Sequence, residues 1–253
     1  MSFPPLYAAL PLAFWVWAVH MLAFHSLGLA FEWCDRTGLS RRFKVRDIDR
    51  LSYGQLLRRV LPNQLLILLP AMLACQYFGL AFAGPAHLSP LIFVGGLLLM
   101  GVGHDIVQYT THRWLLHDTR LGWLGHGLHH TTGASKAIGA LYMSSADFFL
   151  NIVCPYLVPL ILIGGGGSDV LFHMLAMVLG VIGGLYEHSG YDFAAALGAS
   201  GSLLRLLPPA LISSHAHGEH HRRFSVSFSD GFGSPGFCDR LFGTAWDSGI
   251  RHD

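Results

Sequence analysis

Residues Leu91–His130 read LIFVGGLLLMGVGHDIVQYTTHRWLLHDTRLGWLGHGLHH, and the fold turns on how this stretch divides. Its first half, Leu91–Thr111, is an apolar run of about the 20 residues that a helix needs to cross a bilayer. Its second half carries His112, His117, His126, His129 and His130. A lipid-crossing helix therefore delivers a histidine-rich segment to one membrane surface.

The rest of the chain repeats this division. Of 253 residues, 52% are hydrophobic and only 12% charged, where an ordinary soluble domain has about a quarter charged. Four more apolar stretches stand out, Leu6–Phe31, Val60–Phe82, Phe148–Ile163 and Val170–Tyr186, the last two short. Pro62, Pro70, Pro155 and Pro159 are expected to kink the second and fourth spans, which membrane helices tolerate. The amino terminus lacks the basic n-region of a signal peptide, so the first stretch reads as a membrane helix whose His20 and His25 face other helices. Tight turns are expected at Ala83–His87 and Gly164–Asp169.

Basic residues give an independent test, because they are retained on the cytoplasmic side. Arg36, Arg41, Arg42, Lys44, Arg46, Arg50, Arg58 and Arg59 lie between the first and second stretches. Arg113, Arg120, Lys136, Arg205, Arg222, Arg223, Arg240 and Arg251 follow the third and fifth. Neither tight turn contains one. Hydropathy and charge thus agree on one all-α domain over residues 1–253, a bundle of four or five membrane spans with a histidine-rich helical cap on the cytoplasmic face. The four cysteines are far apart and form no CxxC pair, which suggests neither a disulfide framework nor a thiolate metal site. A net charge of +1 gives no reason to expect a nucleic-acid partner.

Three motifs carry chemistry: His112-Arg-Trp-Leu-Leu-His117, His126-Gly-Leu-His129-His130 and His217-Gly-Glu-His220-His221. On a helix, positions i, i+3 and i+4 share a face, so each HxxHH set is expected to aim three imidazoles at one point. His112 and His117 are about 140° apart on an ideal helix, so they serve two metals unless the helix bends or ends between them. Imidazole suits iron, zinc, copper and nickel alike. A lone histidine near a membrane surface is ordinarily an interfacial or hydrogen-bonding residue, and His104, His173 and His215 are read that way. Eight in three compact motifs are a different observation. Asp105 lies nearly on the face of His112, where it can accept a ring N–H.

With these motifs, the segment His188-Ser-Gly-Tyr191-Asp192-Phe193 and the terminal Cys238-Asp239-Arg240-Leu241-Phe242-Gly243-Thr244, the chain resembles the fatty acid hydroxylase and sterol desaturase superfamily of membrane di-iron enzymes. Its nearest branch resembles the methyl sterol oxidases, and Arg42-Phe-Lys-Val-Arg46 followed by Leu51-Ser-Tyr-Gly-Gln55 is similar to a loop of that branch. The first motif departs from it, since HRWLLH is one residue longer than HRxxH. The connection from His188 to His217 is also long, with an Ala194–Leu207 stretch rich in small residues.

The resemblance implies two iron ions held by His112, His117, His126, His129, His130, His217, His220 and His221, with His188 as a ninth ligand. Asp192 would bind iron or orient His188, while Asp105 and Tyr109 would tune the metals from outside. It further implies O2-dependent hydroxylation of an unactivated C–H bond in a membrane lipid, sterol-like or fatty acyl, within lipid biosynthesis. Electrons would come from NAD(P)H through a separate protein, cytochrome b5-like or a ferredoxin and its reductase. The Arg-rich, Ala/Gly-rich usage favours a bacterial inner membrane over the endoplasmic reticulum. Competing readings are a lipid desaturase on the same centre, a histidine-rich metal transporter, and a zinc hydrolase, for which nine histidines exceed the usual three ligands plus water.

Overall fold

The computed structural model describes residues 10–194, 213–229 and 234–246. Arg205, Arg251 and nearly all of the Ala194–Leu207 stretch lie outside them. Five helices are long and apolar enough to cross a membrane: Leu12–Thr37, Tyr53–Tyr77, Pro90–Leu116, Ser145–Leu162 and Val170–His188. The described residues contain no β-strand beyond an isolated bridge between Lys44 and Tyr191.

Sequence chemistry sets where these helices begin. Ser52 starts the second span with a reciprocal capping box to Gln55, while Ser89, Ser144 and Asp169 accept from backbone N–H groups of the third, fourth and fifth. The second span starts seven residues before its apolar run, because Leu56 and Val60 are buried on one face while Arg58 and Arg59 lie on the other. The first span packs along the fifth and the third along the fourth.

Two prolines appear as widened turns. A proline ring clashes with the carbonyl four residues earlier, which is Leu66 for Pro70 and Asn151 for Pro155. Each carbonyl sits mid-way in a π-helical turn, Gln64–Leu68 and Phe149–Val153, so the expected disruption is absorbed one turn upstream. Pro62 and Pro159 remain within α-helical geometry.

The two expected turns pack together at one end of the bundle. Ser168 N donates to Pro85 O at 2.8 Å, Phe82 N to Gly165 O at 3.1 Å, and Leu88 N to Asp169 Oδ2 at 2.9 Å. The run Gly164–Gly167 is glycine because all four have positive φ and a Cβ on Gly167 would meet Pro85 O at 2.5 Å. His173 Nε2 donates to Gly167 O, which confirms a structural role for that histidine. His20 and His25 of the first span both bond Gln64 of the second, at 3.0 and 2.9 Å, so they do face a neighbouring helix.

At the opposite end lies the cap. Its described parts are the short turns between His117 and Ser144, the helix His215–Arg223, and a C-terminal limb ending in the helix Phe237–Leu241. The loop between the first two spans crosses it as a strap. Lys44 Nζ bonds Asp35 Oδ1 at 2.6 Å and the carbonyls of Ser135 and Ser189 at 2.9 Å each. Arg46 Nε donates to Gly133 O, and the backbone N–H groups of Ile48 and Asp49 donate to Ser135 Oγ.

Candidate metal centre

Nine histidines form two groups at the cap end of the bundle. His112, His117, His126, His130 and His220 make the first; His129, His188, His217 and His221 make the second. Within each group one nitrogen per ring lies within 4.8 Å of all the others. The third span supplies His112, the fifth supplies His188, and the helical segments around Gly127–His130 and His215–Arg223 supply six of the rest.

The HxxHH sets do not converge as triads. His126 and His130 point into the first group and His129 into the second, whereas His217 and His221 point into the second and His220 into the first. Positions i and i+4 differ by about 40° around a helix, while i+3 and i+4 differ by about 100°. Each motif therefore aims its i, i+4 pair at one group and lends its middle histidine to the other. The groups are in consequence adjacent, with the rings of His130 and His221 only 4.6 Å apart between centroids.

His112 and His117 join the same group, contrary to the expectation that they serve two metals. The third span ends in a π-helical turn over His112–Leu116, in which His117 N donates to His112 O at 3.0 Å. A π turn closes on the fifth residue rather than the fourth. The extra residue of HRWLLH is thereby taken up, and the two rings sit 5.0 Å apart.

Ring orientation shows what the groups can hold. His112 Nδ1 donates to Phe228 O at 2.7 Å, and His126 Nδ1, 3.0 Å from Asp147 Oδ2, donates to that side chain as an ionised carboxylate. Each ring then presents a bare lone pair at Nε2, and these two atoms face one another at 2.9 Å. Two acceptors cannot bond each other. Protonating one ring would resolve the clash, but burial disfavours it. Burial, reinforced by neighbouring imidazoles, lowers His117 to about 3 and His130 to about 2, and takes His126, His129, His217, His220 and His221 down as well.

A cation between the nitrogens removes the conflict. Two ligands about 2.1 Å from one ion and 90° apart are about 3.0 Å from each other. The neighbouring Nε2 pairs are spaced 2.9, 3.0 and 3.3 Å in the first group and 2.8, 3.1 and 3.1 Å in the second. His220 Nδ1 donates to Val226 O at 2.7 Å, leaving its buried Nε2 with no hydrogen-bond partner. His188 Nδ1 donates to Gly184 O on its own helix, which frees its Nε2 too. All-imidazole donor sets of this kind fit a first-row transition ion.

Three acidic or phenolic residues expected beside the metals lie elsewhere. Asp105 touches no histidine of either group; it accepts from Phe237 N, Cys238 N, Ser229 Oγ and Ser234 Oγ, at 2.8 to 3.3 Å, and so anchors the C-terminal limb. Tyr109 pairs with Thr244 Oγ1 at 3.2 Å, accepts from Arg113 and stacks on Phe242. Asp192 accepts from Ser213 Oγ at 2.6 Å and Ala194 N at 2.8 Å, and lies 3.5 Å from His215 Nε2, so it fastens the approach to the helix His215–Arg223. Helical spacing placed Asp105 near His112 and the resemblance placed Asp192 and Tyr109 beside the metals, but their own hydrogen bonds turn all three towards other partners.

The carboxylate that does orient a ring is Asp147, fully buried at the start of the fourth span. It sits one residue outside the apolar stretch Phe148–Ile163 and belongs to no histidine motif. Other rings are oriented by the carbonyls of Gly184 and, from the C-terminal limb, of Phe228 and Val226, which no side-chain motif announces. Asp239 secures the backbone at Phe228: Phe228 N and Ser229 N donate to its carboxylate at 3.0 and 2.7 Å, and Thr244 Oγ1 does so at 2.6 Å.

A multi-pass helical bundle whose cap gathers nine imidazoles into two adjacent groups is an architecture able to hold metal ions at a membrane. The family model for fatty acid hydroxylase matches residues 97–244, and the chain belongs to that family. The match begins within the third span and takes in all nine histidines. Comparison with curated proteins and with solved structures returns no match. Membership makes the protein an oxidoreductase of the lipid hydroxylase and desaturase type, in a family that is typically iron-dependent.

Proposed function

We propose that each histidine group holds one iron ion and that the protein uses the pair, with O2, to hydroxylate an unactivated C–H bond of a membrane lipid. The observation that carries this reading is the pair of facing lone pairs on His112 and His126, 2.9 Å apart. The ligand set is His112, His117, His126, His130 and His220 for one ion and His129, His188, His217 and His221 for the other. Bound iron supplies the one-electron chemistry and the activation of dioxygen that no side chain can provide.

The chain's own part is positioning and exclusion. Asp147 and the carbonyls of Phe228, Val226 and Gly184 fix four rings with Nε2 inward, so no reorientation accompanies metal binding. Burial of most of the rings keeps bulk water from the centre. Because the groups sit where the third and fifth spans finish, a sterol-like or fatty acyl substrate reaches them from the bilayer with its polar head at the interface. That same placement argues against a transporter, whose ligands would be strung along a path across the membrane. The cap faces the cytoplasm, where a cytochrome b5-like or ferredoxin-type donor delivers electrons drawn from NAD(P)H, and a bacterial inner membrane is the favoured setting.

The test couples metal analysis of protein from iron-supplemented cells with comparative lipidomics of cells with and without the gene. Two irons per chain and the disappearance of one oxygenated lipid class are expected. One zinc per chain, or unchanged lipids, overturns the reading.

A further inference from the structure

The C-terminal limb reaches a depth that a surface cap has no need to reach. Asp105 lies seven residues before His112 on the third span, about 10 Å further into the bundle than the first metal group. Four donors of the limb meet it there, from Ser229, Ser234, Phe237 and Cys238. From that level the helix Phe237–Leu241 climbs back: Phe242 stacks on Tyr109 at 5.2 Å and meets Trp114 at 5.6 Å, and Ser227 N donates to Thr244 O at 2.8 Å. Residues 226–229 thus descend beside the third span and 234–244 ascend beside it.

The outer face of this limb is apolar. Phe237 is 54% exposed, Leu241 78% and Phe242 46%. The third span beside it is the least buried of the five, with Leu91, Leu98, Ile106 and Trp114 exposed, and Phe242 of the limb meets Trp114. Irregular backbone is stable at membrane depth only when protein satisfies its polar groups. Asp105 and Asp239 do this for the backbone N–H groups of Phe228, Ser229, Phe237 and Cys238. Arg240, exposed on the same limb, folds its guanidinium back onto Pro235 O at 2.5 Å, a carbonyl pairing that lets an arginine sit near lipid.

We propose that the limbs 226–229 and 234–244 form a re-entrant hairpin seated in the bilayer against the third span, with Phe237, Leu241 and Phe242 on lipid acyl chains. The hairpin closes the first metal group from the lipid side, since its Phe228 and Val226 carbonyls are the ones that hold His112 and His220. Asp105 is then the buried post on which a membrane-dipping element is hung.

Both faces of the membrane are accessible in nanodiscs, which makes them the setting for the test. Leu241→Cys and Arg222→Cys are each treated with a membrane-impermeant maleimide, and adducts are located by peptide mass. Leu241→Cys is expected to react at least about tenfold more slowly, because maleimide needs a hydrated thiolate. In parallel, the unaltered chain is photolabelled in nanodiscs whose phospholipid carries a diazirine in its acyl chain, and adducts on residues 237–242 are expected. Equal maleimide rates overturn the proposal. So does a protected Leu241→Cys without lipid adducts on 237–242, which would mean that protein covers this face.

Discussion

A single tautomer choice separates a metal site from a cluster of buried rings. Had His112 and His126 been free to keep a proton at Nε2, their 2.9 Å approach would be an ordinary N–H···N bond. Phe228 O and Asp147 Oδ2 take that freedom away. Asp147→Asn keeps the size of the side chain and removes its charge, so it should weaken iron retention by roughly 10–100-fold while the spans still insert. Chelator competition on purified protein measures it, and unaltered retention would show that Asp147 does not act through His126. Asp239→Asn loosens the 226–229 backbone that holds His112 and His220 but nothing in the second group. Iron content should accordingly fall from two towards one per chain, whereas a loss of both ions would mean that the groups do not load independently. Eight of the nine histidines were legible in the sequence because three dense motifs have no structural reason to exist, and His188 was legible only through the resemblance of its segment. Asp147 was not, since it carries no motif and lies just outside its apolar stretch. Asp105 was read in the sequence as a partner for a His112 ring N–H, and helix spacing could not reveal that its partners come instead from residues 229–238.

Among the secondary elements, the π turn over His112–Leu116 accounts for the longer first motif. In an unbroken α-helix, histidines five apart diverge by about 140° and those four apart by about 40°. The π turn restores convergence for the five-residue spacing, and removing one residue should restore it by the other route. Deletion of Leu115, an outward-facing residue of the turn, is expected to leave iron content within about twofold of the parent, with the turn relaxed to α-helix. Insertion of one alanine after Trp114 should abolish loading of the first group, because neither helix type closes on the sixth residue. Iron stoichiometry of the two variants decides it; equal losses in both would mean that the turn has a role beyond register. Sequence showed that spacing had to be reconciled with geometry, but whether by a bend, an end or a widened turn depended on packing against residues 226–229.

The whole molecule joins two parts that the family match separates. Residues 97–244 contain every proposed ligand, while the first two spans and the strap between them precede the match. Basic residues of that strap, including Lys44 and Arg46, read in the sequence as markers of membrane orientation. Lys44 also ties the cap together. Its ammonium is almost buried and is bonded to Asp35 and to the carbonyls of Ser135 and Ser189, with the Tyr191 ring 4.6 Å away. Ser135 follows the second histidine motif and Ser189 directly follows His188, so one cation holds together segments that feed both histidine groups. Such partners lie 91 and 145 residues away and leave no periodic trace in a single sequence. Lys44→Met keeps most of the stem and deletes the charge, leaving Asp35 without its ion-pair partner and two carbonyls short of a donor, at a cost of about 3 kcal/mol. Thermal unfolding of the metal-free protein in detergent should therefore begin well below that of the parent. Iron should also pass to a chelator faster, because His130 and His188 lose their common tether, and Lys44→Arg should repair this only in part, since a planar guanidinium cannot aim at three acceptors spread around a point charge. A Lys44→Met protein that melts and releases iron like the parent would reduce the strap to a topological signal and leave the cap to stand on the matched residues alone.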